Sequence, residues 1–410
     1  MVGAGAVTTG EPVTEKLHLA IGLDGAGWHP AAWRSADARP KDLFTAGYWV
    51  DLVTEAERGL FDFVTIEDKF SLQSSLFSDQ DDRTDQVRGR LDAVQIAARV
   101  APLTRHIGLV PTATVTHTEP FHIAKAIATL DYVSNGRAGW RMQNSFFPRE
   151  AAHFGRREIT PAGADRADPA MVQLVTDHFD EAADFVEVAR RLWDSWEDDA
   201  EIRDVATGRF VDREKLHYID FEGRWFSVRG PSITPRPPQG QPVVTALGHQ
   251  RIPWRFGARS TDVAYITPKS TAETAETVAT IREAQAEYGR AAETVHIFGD
   301  LVVFLEADAG RAARRKAELD ELDGAPMVSD AEIFTGDPGG LADLLLDRAS
   351  AGLSGFRLRP GAIPHDLTAL ADLLVPELQR RGAFRTAYEA STLRGLLGLT
   401  RPASRYARQP

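Results

Sequence analysis

HIGLVPTATVTHTEPFHIAKAIATLDYVSNGRAGWRMQNS, residues 106–145, decides the fold. It begins with an apolar run that ends in threonines, and Pro120 then stands at the first position of a helical pattern, where its missing N–H and fixed φ are no loss. Gly136 closes that helix, and AGWRMQNS begins a second apolar run. Strand, helix and strand thus follow one another with almost nothing between them. The strands are apolar along their whole length, as parallel strands covered on both faces must be.

The same unit repeats in both directions. Upstream lie LHLAIGL (17–23) and FDFVTIED (61–68), separated by a helix over 48–58 with Trp49, Leu52, Val53 and Ala56 on one face and Gly59 as its C′ residue. A further helix runs from Leu91 to Pro102. Downstream, the strands are 242–248, 262–268, 295–307 and 355–360. Helices lie over 179–196, 251–260, 309–323, 340–352 and 366–382, with another beginning at Thr271 as its N-cap. Eight strand–helix units predict an α/β fold, a closed (β/α)8 (TIM) barrel; an open doubly wound sheet is the competing arrangement. We expect residues 1–410 to form a single barrel domain. Two stretches break the alternation, 197–241 and 318–340, and are expected as insertions. Residues 385–410, with Arg394, Arg401, Arg405 and Arg408, are expected as a C-terminal arm, solvated or packed on a partner subunit.

Composition narrows the function. The chain has no cysteine, which excludes disulfides, thiolate-held zinc, iron–sulfur clusters and a thiol nucleophile. Its 59 acidic against 47 basic residues disfavour a nucleic-acid partner. There is no apolar run of 18 residues, so no membrane span is expected, and the first residues lack the features of a secretory signal. The cytoplasm is the simplest expected location.

A barrel of this kind does its chemistry at the C-terminal ends of its strands. Those ends supply Trp28 and His29; Glu67 and Asp68; Thr112, Thr114, Thr116, His117 and Thr118; Gln143, Asn144 and Ser145; Gly248, His249 and Gln250; and Thr267. His29, Asp68, His117 and His249 are the candidate metal ligands, but there is no paired-histidine motif and no bridging lysine. Glu67 and Asp68 are adjacent on a strand, point to opposite sides and make a poor glycosidase pair. The remaining inventory of hydroxyls, amides and aromatic faces suits a planar cofactor ring, and GHQR (248–251) before a short helix suits a phosphate. A phosphorylated aromatic cofactor such as FMN fits.

At this point the residues carry a resemblance. HPAAWR (29–34), residues 48–68, 90–116 and 119–145, FVEVARRLWDSWEDDA (185–200), HYIDFEGRWFSVRGP (217–231) and PRPPQGQPVV (235–244) resemble, in order and spacing, the luciferase-like flavin-dependent monooxygenases. The similar branch is that of nitrilotriacetate, dibenzothiophene-sulfone and long-chain-alkane monooxygenases. The resemblance implies a two-component enzyme. FMN arrives reduced, as FMNH2, from a separate NAD(P)H-dependent flavin reductase and reacts with O2. A small organic substrate is then oxygenated through a C4a-(hydro)peroxyflavin. It also implies a homodimer or homotetramer. Residue by residue, it assigns Asp68, Thr114, Thr118, Asn144 and Ser145 to the flavin ring, and Gly248, His249, Gln250 and Arg251 to the phosphate. His29 is assigned to the peroxyflavin or the substrate. Two departures stand out: relatives carry a Gly-Ser-Ser type turn where this chain has GHQR, and a tyrosine where it has Phe179. The insertion 197–241, with Trp225 and Phe226, is expected either to form part of a lid or wall of the site or to be a packing or dimer-contact loop. An F420-dependent oxidoreductase on the same fold, a flavin-binding protein without oxygenation and a metal-dependent hydrolase are the alternatives.

Overall fold

The computed structural model describes residues 16–74, 81–159 and 168–407. Within them, eight parallel strands close into a barrel. These are β1 (His18–Leu23), β2 (Phe63–Ile66), β3 (Gly108–Thr114), β4 (Gly139–Gln143), β5 (Val243–Leu247), β6 (Val263–Ile266), β7 (His296–Leu305) and β8 (Gly355–Pro360). Each pairs with the next, and β8 pairs back onto β1 with Gly355 opposite His18. β7 is long enough to serve two neighbours on one side: residues 296–299 pair with β6, and residues 301–305 pair with an extra parallel strand, Glu332–Gly336. This is the (β/α)8 barrel read from the alternation.

Most helices start and stop where the local chemistry dictates, with three shifts, one being the helix expected over 179–196, which runs from Pro169 to Asp194 and so begins ten residues earlier. The helix α1 (Ala46–Arg58) buries Trp49, Leu52, Val53 and Ala56, and the Thr45 hydroxyl accepts from Tyr48 N–H at its start. Gly59 does not take the left-handed position; Leu60 does, with φ +60°. Gly59 is needed for another reason: a Cβ there would lie 2.5 Å from the Phe61 ring. The helix over Thr271–Glu287 is capped by Ser270, whose hydroxyl accepts from Glu273 N–H, and not by Thr271.

The barrel is apolar at its lower end and charged at its upper end. Ala20, Phe63, Val110, Tyr265 and Phe298 pack together, and Leu393, Leu397 and Leu399 from the C-terminal segment join them. That segment is therefore a plug on its own barrel and not a solvated arm. A Cβ on Gly108, the first residue of β3, would lie 2.6 Å from Leu393, so only glycine lets the plug approach. Arg394 and Arg405 pair with Asp262 (3.4 Å) and Glu187 (2.8 Å) of the same chain.

The stretch 197–241 folds into two short antiparallel hairpins on the flank of the long helix Pro169–Asp194. Phe226 packs edge-on against Phe185 of that helix, at 5.6 Å. Arg401 of the C-terminal segment donates to the Pro238 carbonyl, 2.9 Å away. Phe226 and Pro238 thus tie this stretch to the helix and to the C-terminal segment.

Candidate functional site

At the C-terminal rim, the loop after β1 folds back across the end of β8. Trp28 and His29 donate backbone N–H to the carbonyls of Pro360 (3.0 Å) and Gly361 (2.9 Å). Gly27 makes the crossing possible: its φ is +125°, and a Cβ there would lie 2.6 Å from the Gly361 oxygen. The crossing buries the His29 side chain completely. Ala31 N–H donates to its Nδ1 at 3.0 Å, so the proton sits on Nε2, which donates to Asp320 at 3.0 Å. Burial lowers the His29 pKa, with the Asp320 hydrogen bond opposing. Both ring nitrogens are therefore occupied. His29 ties the β1 loop to residues 320–327, with both ring nitrogens engaged within the chain.

Beside that crossing lies a cleft of about 510 Å³, lined by residues 24–30, by Lys69, Leu72, Gln73, Ser74, Arg83, Gln86, Val87, Arg90 and Arg149, and by Asp323 and residues 325–328. No described residue of 197–241 reaches it.

Under the rim sits a network of buried charges that pattern reading missed. Glu67 accepts from Arg357 (2.9 Å) and pairs with Arg141 (3.1 Å). Asp300 accepts from Arg357 Nε (2.8 Å) and is also bound by Arg359, which reaches Asp330 at 2.7 Å. The available signal was charge at inward positions of otherwise apolar strands: Arg141 in GWRMQ, Asp300 in HIFGDLVVFL, and Arg357 and Arg359 two apart in GFRLRP. Burial pushes the Glu67 carboxyl up, but Arg141 and Arg357 more than offset this and hold it below its ordinary value. Burial lowers Arg141, and Glu67 only partly compensates; its Nε is buried with no partner. Arg141 is the under-compensated cation of the network.

The residues assigned to a flavin ring line successive strand ends from β2 to β4. Asp68 points outward: its carboxylate accepts from the N–H groups of Lys69 (2.7 Å) and Ala93 (3.0 Å), the latter opening the helix Ala93–Val100. Burial raises its pKa, with those N–H groups opposing. The Thr118 hydroxyl donates to the Thr114 carbonyl (2.7 Å), an internal turn. Ser145 N–H donates to Thr116 (2.8 Å) and so joins the β3 and β4 loops. Asn144 Nδ2 is buried without a partner.

The residues assigned to a phosphate follow β5. Gly248 is crossed by the Trp254 indole, which donates to its carbonyl at 2.9 Å; a Cβ on it would lie 2.9 Å from that ring. His249 Nδ1 lies 3.0 Å from the Thr267 hydroxyl. Gln250 is the N-cap residue of the helix Arg251–Ser260, and no side chain caps its first N–H groups. Phe179 lies against Phe146 and Phe256. No three His, Asp or Glu side chains gather as metal ligands among the described residues.

This chain, over residues 26–351, matches the family model described as luciferase-like monooxygenase. It is similar to N-acetyl-S-(2-succino)cysteine monooxygenase of Bacillus subtilis (strain 168), with 31% identity covering 96% of this chain and 99% of that protein. Nitrilotriacetate monooxygenase component A of Aminobacter aminovorans is 30% identical, with the same coverage. The crystal structure of long-chain alkane monooxygenase superposes with a TM-score of 0.83 at 23% identity, covering 94% of this chain and 96% of that one, and shares the fold. A barrel with these strand-end loops, matched along nearly its whole length by such relatives, belongs to the luciferase-like monooxygenase family.

Proposed function

We propose that the strand ends from β2 to β5 hold reduced FMN, and that the neighbouring cleft holds a small organic substrate of an oxygenation reaction. The observation that carries this reading is the buried, unpartnered Nδ2 of Asn144, because a buried amide donor without an acceptor is costly unless a ligand supplies one. The uncapped first turn of Arg251–Ser260, with Arg251 exposed beside it, supports a phosphate at the far end. The residues present therefore fit the group. Asn144 and the hydroxyl of Thr114 would meet polar atoms of the ring, and Arg141 would set positive charge beneath it. His249, Gln250 and Arg251 would take the phosphate. When bound, reduced FMN supplies the electrons that activate O2 for transfer of one oxygen atom to substrate. The chain excludes water with Trp28, Val87 and Met327 at the cleft wall, and its loops orient the substrate.

A relative bearing the name component A supports a separate NAD(P)H-dependent flavin reductase as partner. We place the pair in the cytoplasm, where the reductant is available, and expect a homodimer or homotetramer. Among the described residues, no helix is long and apolar enough to cross a membrane.

Anaerobic titration with reduced FMN, followed by oxygen uptake with NADH and a generic flavin reductase, tests the reading. Saturable binding and substrate-dependent uptake are expected. Saturation by reduced F420 with none by reduced FMN would replace it.

A further inference from the structure

The cleft carries more positive charge than a net acidic chain leads one to expect. Four of its lining side chains are cationic, Lys69, Arg83, Arg90 and Arg149, against two carboxylates, Asp24 and Asp323. Two of the cations are neutralised: Arg90 grips both oxygens of Asp24 (3.1 and 2.7 Å), and Arg83 lies 2.8 Å from Asp323 and 2.8 Å from Asp85. Arg149 stacks on the Phe147 ring at 4.8 Å.

Lys69 differs from these. Among the described residues its ammonium makes no hydrogen bond: its ion-pair partner, Glu150 Oε1, is 3.9 Å away, beyond hydrogen-bond reach, and already accepts from Ser71 at 2.6 Å. One side of the ammonium is covered by the Phe147 ring, 3.9 Å to its centroid, and the side chain is only 26% exposed. A largely buried ammonium with unused donors at the wall of a cavity is an anion site by its chemistry. Burial lowers its pKa; Glu150 opposes this only in part, Arg149 and Arg90 act with burial, and an arriving anion would act with Glu150. Part of the wall is apolar: Leu72, Met327 and Val328 line it, beside the polar Gln73, Ser74 and Gln86, with Leu72 and Val328 exposed.

We infer that the substrate is an organic anion, with a carboxylate or sulfonate head on Lys69 and an apolar body against Leu72, Met327 and Val328. The inference rests on the reading of the neighbouring strand ends as a flavin site, and names what the cleft beside it accepts.

Lysine labelling of the full chain with an acylating reagent, read by peptide mass spectrometry, tests it directly. The probes are 4-phenylbutyrate, 3-phenylpropanesulfonate and the neutral 4-phenylbutyramide. Protection of Lys69 by either anion and not by the amide is expected, and comparing the two anions identifies the head group. Equal protection by all three, or by none, overturns the inference. In a substrate panel, Lys69→Met is expected to raise KM for anionic substrates 10- to 100-fold while Lys69→Arg restores it; an unchanged KM also overturns it. Reduced-FMN titration of the same proteins keeps the two readings apart. Saturable flavin binding without anion preference removes only the substrate class, whereas loss of flavin binding in the parent protein removes the flavin site.

Discussion

Glu67 and Asp68 are neighbours at the end of β2, yet their carboxylates do opposite work on opposite sides of the barrel wall. Glu67 faces in and lies between Arg357 and Arg141; Asp68 faces out and accepts two backbone N–H groups. The pleat of a strand makes this division unavoidable. It also gives the two positions different sensitivities.

Glu67→Gln removes the charge that compensates two buried guanidinium groups, whereas Asp68→Asn keeps an acceptor for one N–H and loses the other. Stripping one partner from a buried ion network costs about 3–5 kcal/mol, and a lost N–H acceptor about 1 kcal/mol. Urea unfolding of the two variants is expected to show the larger loss for Glu67→Gln. Equal losses would mean that the network is solvated and that Glu67 is not its keystone.

The phosphate end of the proposed flavin site predicts a ligand-specific effect. Arg251 is exposed and forms no ion pair among the described residues, so Arg251→Ala leaves the fold unstrained. Loss of one charge-assisted contact corresponds to a roughly tenfold weaker Kd, at about 1.4 kcal/mol per factor of ten. Fluorescence titration is expected to show this for FMN and not for riboflavin, which lacks the phosphate. Equal weakening of both would move the phosphate away from the turn at 248–251.

His29 and Asp320 predict a coupling across the rim. Asp320 accepts from His29 Nε2, from Met327 N–H at 2.8 Å and from Lys316 at 2.7 Å, so one carboxylate holds the β1 loop and the segment carrying Met327 together. Asp320→Ala should free that segment, raising KM for substrate more than it lowers kcat. Limited proteolysis is expected to cut within 324–331 faster than in the parent. Unchanged cleavage and unchanged KM would show that the segment is held by its other contacts.

The strands and most helices were legible because each carries its own signal. An all-buried parallel strand such as β3 needs an apolar run, and Pro120 marks a helix start by local chemistry. The rim residues were legible as a list, because strand ends follow once the strands are known. Their orientations were not. That Thr118 is spent on a turn, and that His29 has both nitrogens engaged, depends on partners as distant as Asp320, 291 positions away in the chain. The network of Arg141, Asp300, Arg357 and Arg359 stayed hidden because it needs three strands, β4, β7 and β8, brought together by the closed barrel. The plug formed by Leu393 and Leu397 stayed hidden because a short apolar stretch among arginines reads as a tail until it meets glycines at the barrel floor.

His296, at the first position of β7, predicts how stability varies with pH. Its ring lies under the plug, where Nε2 donates to the Leu397 carbonyl (2.8 Å) and Nδ1 lies 3.1 Å from the Ser354 hydroxyl. Burial, with His18 adding to it, lowers its pKa to about 4, against 6.5 for an ordinary imidazole. The unfolded chain therefore binds more protons than the folded one between these values. The stabilisation is complete above about pH 6.5 and is lost as pH falls toward 4. By pH 5 the loss is about 2 kcal/mol, at 1.36 kcal/mol per pH step. The raw curve does not isolate this effect, because Asp131, raised by burial to about 6, acts with the opposite sign: folding favours its protonated form, so its contribution grows as pH falls through the same range. Asp262, held near 2 against its burial by Arg190 and Arg394, acts only below about pH 4. The diagnostic quantity is the difference between the parent and His296→Gln, which keeps a donor for Leu397 and removes the titration. Parent stability is expected to fall relative to the variant by about 2 kcal/mol between pH 6.5 and 5 in urea unfolding. A pH-independent difference would mean that His296 titrates normally and that the plug is open to water.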